Sequence, residues 1–229
     1  MRRFLAESLP TANHTIELDR ETSHHLLRVV GIAPGEKVEL FDGKGGLCIA
    51  SLLHVQNARA VLQWEEDAEE KSKKHSLWMG LALTKRDAFS TALRMLTEMG
   101  VSEILPIQSS RSIAKGNKLD RWKKIVLSAT AQSKQAHLPT VHAVHSFSDA
   151  LEYLDFVSSK WILHTQQEGC ASLPSLREDT AILVGPEGGF TEAEVEEAVK
   201  KGWNIASLSS SVLRADTAAI VAAALALKD

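Results

Sequence analysis

Apolar positions in the first 68 residues fall in short alternating runs, the period of half-buried strands. Thr15-Ile16-Glu17-Leu18 alternates, Val38-Glu39-Leu40-Phe41 reads as a strand, and Leu47 to Val55 and Ala58 to Trp64 continue the pattern. Asp19 is placed to cap a short helix over Glu21 to Val30. Pro34-Gly35 marks a turn, and Asp42-Gly43-Lys44-Gly45-Gly46 marks a tight turn of the hairpin kind. Short strands with glycine turns predict a compact β-barrel or sandwich over residues 1–68. Glu65 to Lys74 is charged and aperiodic, which places a linker in this run, at residues 69–75.

Beyond it, over residues 76–229, strands alternate with helices. Strands are predicted at Leu77 to Leu83, Glu103 to Ile107, Trp161 to Leu163, Ala181 to Val184 and Ile205 to Leu208. Helical spacing covers Phe89 to Met99, ended by Gly100, and Lys118 to Gln135, with Trp122, Ile125, Val126 and Ala129 as its buried stripe. Thr191 caps a helix over Glu192 to Lys200, and an alanine-rich helix is predicted over Val212 to Leu227. The pattern implies an α/β domain with a mostly parallel sheet covered on both faces.

Composition narrows the function classes only a little. The 229 residues are 44% hydrophobic and 24% charged, ordinary for a folded protein able to bury a sizeable core. A net charge of −3 does not announce a nucleic-acid binder, but charge is unevenly spread. Arg111, Lys115, Lys118, Arg121, Lys123, Lys124 and Lys134 face only Asp120 across their stretch, which reads as a solvated helix face or as a local RNA surface. Cys48 and Cys170 are the only cysteines, and neither CxxC nor HExxH occurs, so a disulfide framework and a metal site are not expected. No apolar run follows the N-terminal residues, and Ile220 to Leu227 is too short to cross a bilayer, so a cytoplasmic location without membrane partners is expected.

Two segments carry the candidate chemistry. In Leu183-Val184-Gly185-Pro186-Glu187-Gly188-Gly189-Phe190-Thr191, an apolar strand enters a glycine loop that precedes a capped helix. Ligands in parallel sheets sit at the carboxyl ends of strands, and glycines there let backbone approach a ligand. The spacing is neither GxGxxG nor Walker A, which argues against dinucleotides and triphosphates. Glu187 either fixes the loop or faces a substrate. In Leu208-Ser209-Ser210-Ser211-Val212-Leu213-Arg214-Ala215-Asp216, a strand again enters a small-residue loop and a helix. Asp216 suits a helix first turn, and Arg214 suits a phosphate or a polarised carbonyl. His164 follows a strand and reads as a satisfied edge residue, and no GxSxG elbow supports a serine nucleophile. The chemistry points to positioning of a reactive cofactor rather than covalent catalysis.

"LVGPEGGFTEAEV" followed by "SVLRADTA" closely resembles the SPOUT-type methyltransferases that modify N3 of a uridine in 16S ribosomal RNA, the RsmE family. "RRF", "HHLLRVV" and "LFDGKGG" resemble that family's PUA-like domain, and "LALTKRD", "TEMGVSEILPI" and "SSRSI" the start of its catalytic domain. The resemblance implies a SPOUT-type domain with a C-terminal trefoil knot, preceded by a small PUA-like β-barrel domain. It implies S-adenosylmethionine as cofactor, a homodimer, and 16S ribosomal RNA or the small ribosomal subunit as partner. Leu183, Gly185, Glu187, Gly188, Leu208, Ser210 and Leu213 would hold the cofactor. Arg214 would stabilise charge on the uracil oxygens, and Glu98 or Asp216 would assist loss of the N3 proton. Arg3, Lys85, Arg111, Lys118, Arg121, Lys123 and Lys134 would contact RNA phosphates. The chain departs from the family pattern at Gly31, Met95, Ala131, Gln135 and Ser209, and Asp216 stands where glutamate is usual. Four of these changes remove cations or shorten an acid near RNA, so another RNA nucleotide, or a non-catalytic RNA-binding or assembly role, are the alternative readings.

Overall fold

A computed structural model describes residues 1–12, 14–68, 75–165, 171–175 and 177–228. Contacts divide the chain into two units, residues 1–72 with 127–138 and residues 73–126 with 139–229.

The first unit is built on β1 (Arg3–Leu5), β2 (Thr15–Glu17), β3 (Lys37–Phe41), β4 (Leu47–Gln56) and β5 (Arg59–Ala68), in the order β1-β3-β4-β5-β2. Of the four neighbouring pairs in this order, β1–β3 is parallel and the other three are antiparallel. The Asp19 carboxylate accepts from the Thr22 amide at 2.9 Å and starts α1 (Arg20–His24). The helix widens into a π-helical turn over His25–Val30, which Gly31 ends at φ 76°. Only glycine adopts that conformation without strain, a local reason for glycine where the family pattern has a cation. In the predicted hairpin turn, Asp42 Oδ1 accepts from the amides of Lys44 and Gly46 at 2.7 and 2.9 Å. Phe4, Leu18, Leu26, Val38, Leu40, Leu52 and Leu62 form the core between sheet and helix.

Two features depart from the linear reading. Glu65 to Ala68 belong to β5, with Glu66, Asp67 and Ala68 opposite Ile49, Cys48 and Leu47. Ladder bonds hold this end, and Ser51 Oγ donates to Glu65 at 2.6 Å, so apolar alternation is not needed there. The remainder of the charged run, residues 69–74, lies outside the described residues. The second feature is the inclusion of 127–138: the Gly45 amide donates to the Ala136 carbonyl and the Leu138 amide to the Gly43 carbonyl.

The second unit contains β6 (Leu77–Ala82), β7 (Glu103–Gln108), β8 (Thr140–Val141), β9 (His145–Ser146), β10 (Ser159–Leu163), β11 (Thr180–Val184) and β12 (Asn204–Ala206). The order is β12-β10-β11-β6-β7-β8, with β9 also paired to β7, and every pair is parallel. The helices are α2 (Arg86–Met99), α3 (Leu119–Ser133, whose later turns cluster with the first unit), α4 (Phe147–Tyr153), α5 (Glu192–Lys200) and α6 (Ala215–Ala226). Gly100 ends α2 at φ 87°. The last helix starts three residues later than its apolar spacing predicts, because Val212 to Arg214 continue the preceding loop. It packs against α2, β6 and β11, with Ala219, Ala222, Ala223 and Ala226 buried. Because all strands share one direction, the loops leaving β6, β7, β10, β11 and β12 gather along one edge of the sheet.

Candidate functional site

An open cleft of about 240 Å³ lies at that edge, between the loops after β10, β11 and β12. Residues 163–165, 184–190, 207–209 and 211–213 supply most of its wall, closed by Arg111 and by Ala215 and Ala218 of α6.

The loop after β11 is folded on itself. The Gly189 amide donates to the Pro186 carbonyl at 2.8 Å, and Gly189 takes φ 67°. A β-carbon on Gly185 would come within 3.1 Å of the Gly189 and Phe190 backbone, so any larger residue would push that backbone aside and the close approach favours glycine. Phe190 anchors the far end in the core against Phe147, with ring centroids 5.2 Å apart. A capping box then starts α5: the Glu194 amide donates to Thr191 Oγ1 at 3.2 Å, and the Thr191 amide to Glu194 Oε2 at 2.8 Å. The other oxygen of this buried carboxylate accepts from the Ser110 amide at 2.8 Å, tying the loop after β7 to the start of α5.

Neighbouring loops brace the same turn. The Lys85 amide donates to Glu187 at 3.2 Å, so Glu187 fixes the loop as well as lining the cleft. Arg111 Nη1 donates to the Gly188 carbonyl at 2.7 Å and to that of Phe190 at 3.4 Å. In the loop after β12, Ser207 Oγ donates to the Ser209 carbonyl at 3.2 Å and Ser209 Oγ accepts from the Ser211 amide at 3.1 Å. Exposed Arg214 occupies the cap position of α6, and half-buried Asp216 accepts from the Thr217 amide at 2.9 Å.

Of the residues expected to hold a cofactor, Gly185, Glu187, Gly188, Leu208 and Leu213 line the cleft. Leu183 does not: it is fully buried in the core, on the strand that feeds the loop. Ser210 does not either; its neighbours Ser209 and Ser211 do. His164 is a cleft residue, not merely an edge residue, and with Leu163 and Thr165 it completes a third wall. The signal for that wall was the end of a strand parallel to the two glycine- and serine-loop strands.

Glu98 is not among the cleft residues; it sits at the end of α2, held by Arg94 at 2.7 Å. Asp216 is closer to the glycine loop, sharing a small cavity with Val184 and Gly185. Among the cations, Lys85, Lys118, Arg121, Lys123 and Lys134 are exposed. Arg3 is not available for a phosphate: its side chain is 6% exposed, pairs with Glu39 at 3.0 Å and donates to the Lys134 carbonyl. Arg111 is exposed but already engaged with the loop carbonyls. Burial, with Asp67 adding to it, pushes the Cys48 thiol up to about 11, so it is inert near neutral pH. No cluster of metal-ligating side chains occurs among the described residues, and no helix among them is long and apolar enough to cross a membrane.

The cleft combines apolar Leu163, Leu208, Val212 and Leu213 with a glycine loop and serines, a lining that suits a small ligand with both apolar and polar parts. Residues 53–227 match the model of the RNA methyltransferase domain, and residues 18–62 that of the RNA methyltransferase PUA domain. A parallel α/β sheet carrying this cleft, with a PUA domain ahead of it, defines an RNA methyltransferase. The chain is 31% identical to ribosomal RNA small subunit methyltransferase E of Synechocystis, over 92% of this chain and 72% of that protein. It is 28% identical to the same-named protein of Rickettsia conorii, over 97% and 93% of the two chains. The crystal structure of ribosomal RNA small subunit methyltransferase E from Neisseria gonorrhoeae, bound to S-adenosyl methionine, superposes with a TM-score of 0.88 at 29% identity, covering 98% of this chain and 95% of that one. The chain belongs to the ribosomal RNA small subunit methyltransferase E family.

Proposed function

We propose that this protein transfers the methyl group of S-adenosylmethionine to N3 of a uridine in 16S ribosomal RNA of the small subunit. The observation that carries the reading is the cleft at the ends of β10, β11 and β12, walled by the braced glycine loop, in a chain of this family. The Neisseria relative holding S-adenosyl methionine supports the cofactor. When bound, the cofactor supplies a methyl group activated on a sulfonium.

The chain's own residues then have separable tasks. The backbone of Gly185 to Gly189, with Leu208 and Leu213, holds the cofactor. Uridine N3 must lose its proton before or during attack, and Asp216, beside Gly185, is better placed to accept it than Glu98. Arg214, exposed at the start of α6, steadies the negative charge that spreads to the uracil oxygens. Residues 1–68 serve as the RNA-binding domain, 69–75 as linker and 76–229 as the methyltransferase domain, in a homodimer acting in the cytoplasm.

The test is methyl transfer from labelled S-adenosylmethionine to small ribosomal subunits and to naked 16S RNA, followed by base mapping. Label on N3 of one uridine is the expected result. Label on another base overturns the target assignment, and cofactor binding without transfer supports an assembly role instead.

A further inference from the structure

A second, narrower cleft opens beside β6, of about 30 Å³, on the segment that leads from β6 into α2. Thr84 lies at its base. It is 6% exposed, and its hydroxyl makes no hydrogen bond among the described residues. The residue is buried but its oxygen is not, so the hydroxyl stays accessible and free to bond a group that enters the cleft. Ser90, half-buried on α2, lines the same space, and so do the cations Lys115, Lys118 and Arg121.

The surroundings fix these groups. Phe89 and Trp122 are buried against each other, with centroids 4.9 Å apart, and form a stiff floor. Gly116 turns the chain at φ 91°, and Asn117 Oδ1 accepts from the Leu119 amide at 3.1 Å, which starts α3 between Lys118 and Arg121. None of the three cations is paired with a carboxylate among the described residues; Asp120, the one acid of the run, is exposed and bonds none of them. Three cations and two hydroxyls with no acidic partner call for an anion rich in acceptor oxygens. The volume admits a tetrahedral group and not a base. Thr84 also borders the small cavity that holds Gly185 and Asp216, so the cleft adjoins the proposed reaction site.

We propose that this cleft seats one phosphodiester of the RNA strand, the Thr84 and Ser90 hydroxyls donating to its oxygens and Lys115, Lys118 and Arg121 neutralising its charge. The inference rests on the RNA reading above and adds a built position to it. A diffuse basic face responds to charge alone; a seat also responds to a neutral hydroxyl in its wall.

The experiment measures binding of a 16S RNA fragment against salt for the full-length wild type and for Thr84→Val, Ser90→Ala, Lys118→Gln and Arg121→Gln. Inorganic phosphate is titrated separately at constant ionic strength. Thr84→Val is isosteric and removes no hydrogen bond present in the chain, and Ser90→Ala is a milder second variant. Thr84→Val is expected to weaken RNA binding about fivefold with an unchanged salt slope. Each charge variant is expected to lower the log–log slope by roughly 0.7. RNA binding by both hydroxyl variants at the wild-type level overturns the seat. Inorganic phosphate bound by the wild type, with RNA affinity indifferent to all four changes, assigns the cleft to a free anion and also overturns it. Absence of RNA binding by the wild type overturns the functional reading along with the seat, whereas the preceding outcomes leave that reading standing.

Discussion

Arg111 is the residue whose charge the fold turns on its own backbone. Its guanidinium bonds the Gly188 and Phe190 carbonyls of the loop that lines the cleft. Arg111→Ala is expected to weaken S-adenosylhomocysteine binding about tenfold, the size of one charge-assisted bond, with Arg111→Lys recovering part of it. The salt slope of RNA binding should stay at the wild-type value; a fall of about 0.7 would restore Arg111 to the phosphate contacts. Gly188→Val perturbs the same brace, since a β-carbon there meets Arg111 Cδ at 3.3 Å. Arg3 is the second cation whose partner lay hidden. Glu39, 36 positions away, meets it across the β1–β3 pair. Arg3→Ala should destabilise the protein by about 3 kcal/mol, because it strands a partly buried carboxylate. Urea denaturation should show Arg3→Leu with Glu39→Leu recovering much of that loss; equal losses for the single and double variants would show that packing of the arginine stem dominates. Both residues explain why charge in a sequence is a poor guide to charge on a surface: strand register sets the partner of Arg3 and loop packing those of Arg111, and local pattern contains neither.

At the scale of elements, the glycine loop was legible because it combines several local signals in the twelve residues from Leu183 to Glu194: the end of an apolar strand, three glycines and a threonine with glutamate three positions on. The capping box forms as that spacing requires. The bond from Glu194 to the Ser110 amide, 84 positions away, had no such signal. Thr191→Ala should therefore cost about 1 kcal/mol as an ordinary cap loss. Glu194→Ala should cost about 1 kcal/mol more than that, since it also removes the bond to the Ser110 amide. Equal costs in chemical denaturation would show that the Ser110 bond contributes nothing. The strands β8 and β9 and the helix α4 escaped the sequence reading for a simpler reason. Two-residue strands have no period, and a seven-residue helix shows barely two turns of one. The wall at Leu163 to Thr165 was missed because it has no glycine to mark it, only a place at the end of a parallel strand.

At the scale of the whole molecule, the alanines that make α6 conspicuous in the sequence are turned toward α2, β6 and β11 of the same chain. Small side chains let these elements approach closely, so the helix is first an internal packing element. The dimer proposed for the protein predicts a sedimenting mass about twice 25.0 kDa at micromolar concentration. A clean monomer across that range would remove the dimer from the account. The α/β class of the second unit was readable at this scale, because apolar strands alternate there with segments of helical spacing. What the linear reading did not contain is the return of residues 127–138 to the first unit.

That return bears on how such a chain can be taken apart or recombined. A cut in the gene near residue 70 yields an N-terminal fragment lacking the strand-like segment that bonds Gly43 and Gly45. The N-terminal unit is therefore not a cassette. Grafting it onto another catalytic domain requires carrying along twelve further residues from the interior of this chain, so shuffling by single crossovers is expected to yield poorly folded hybrids.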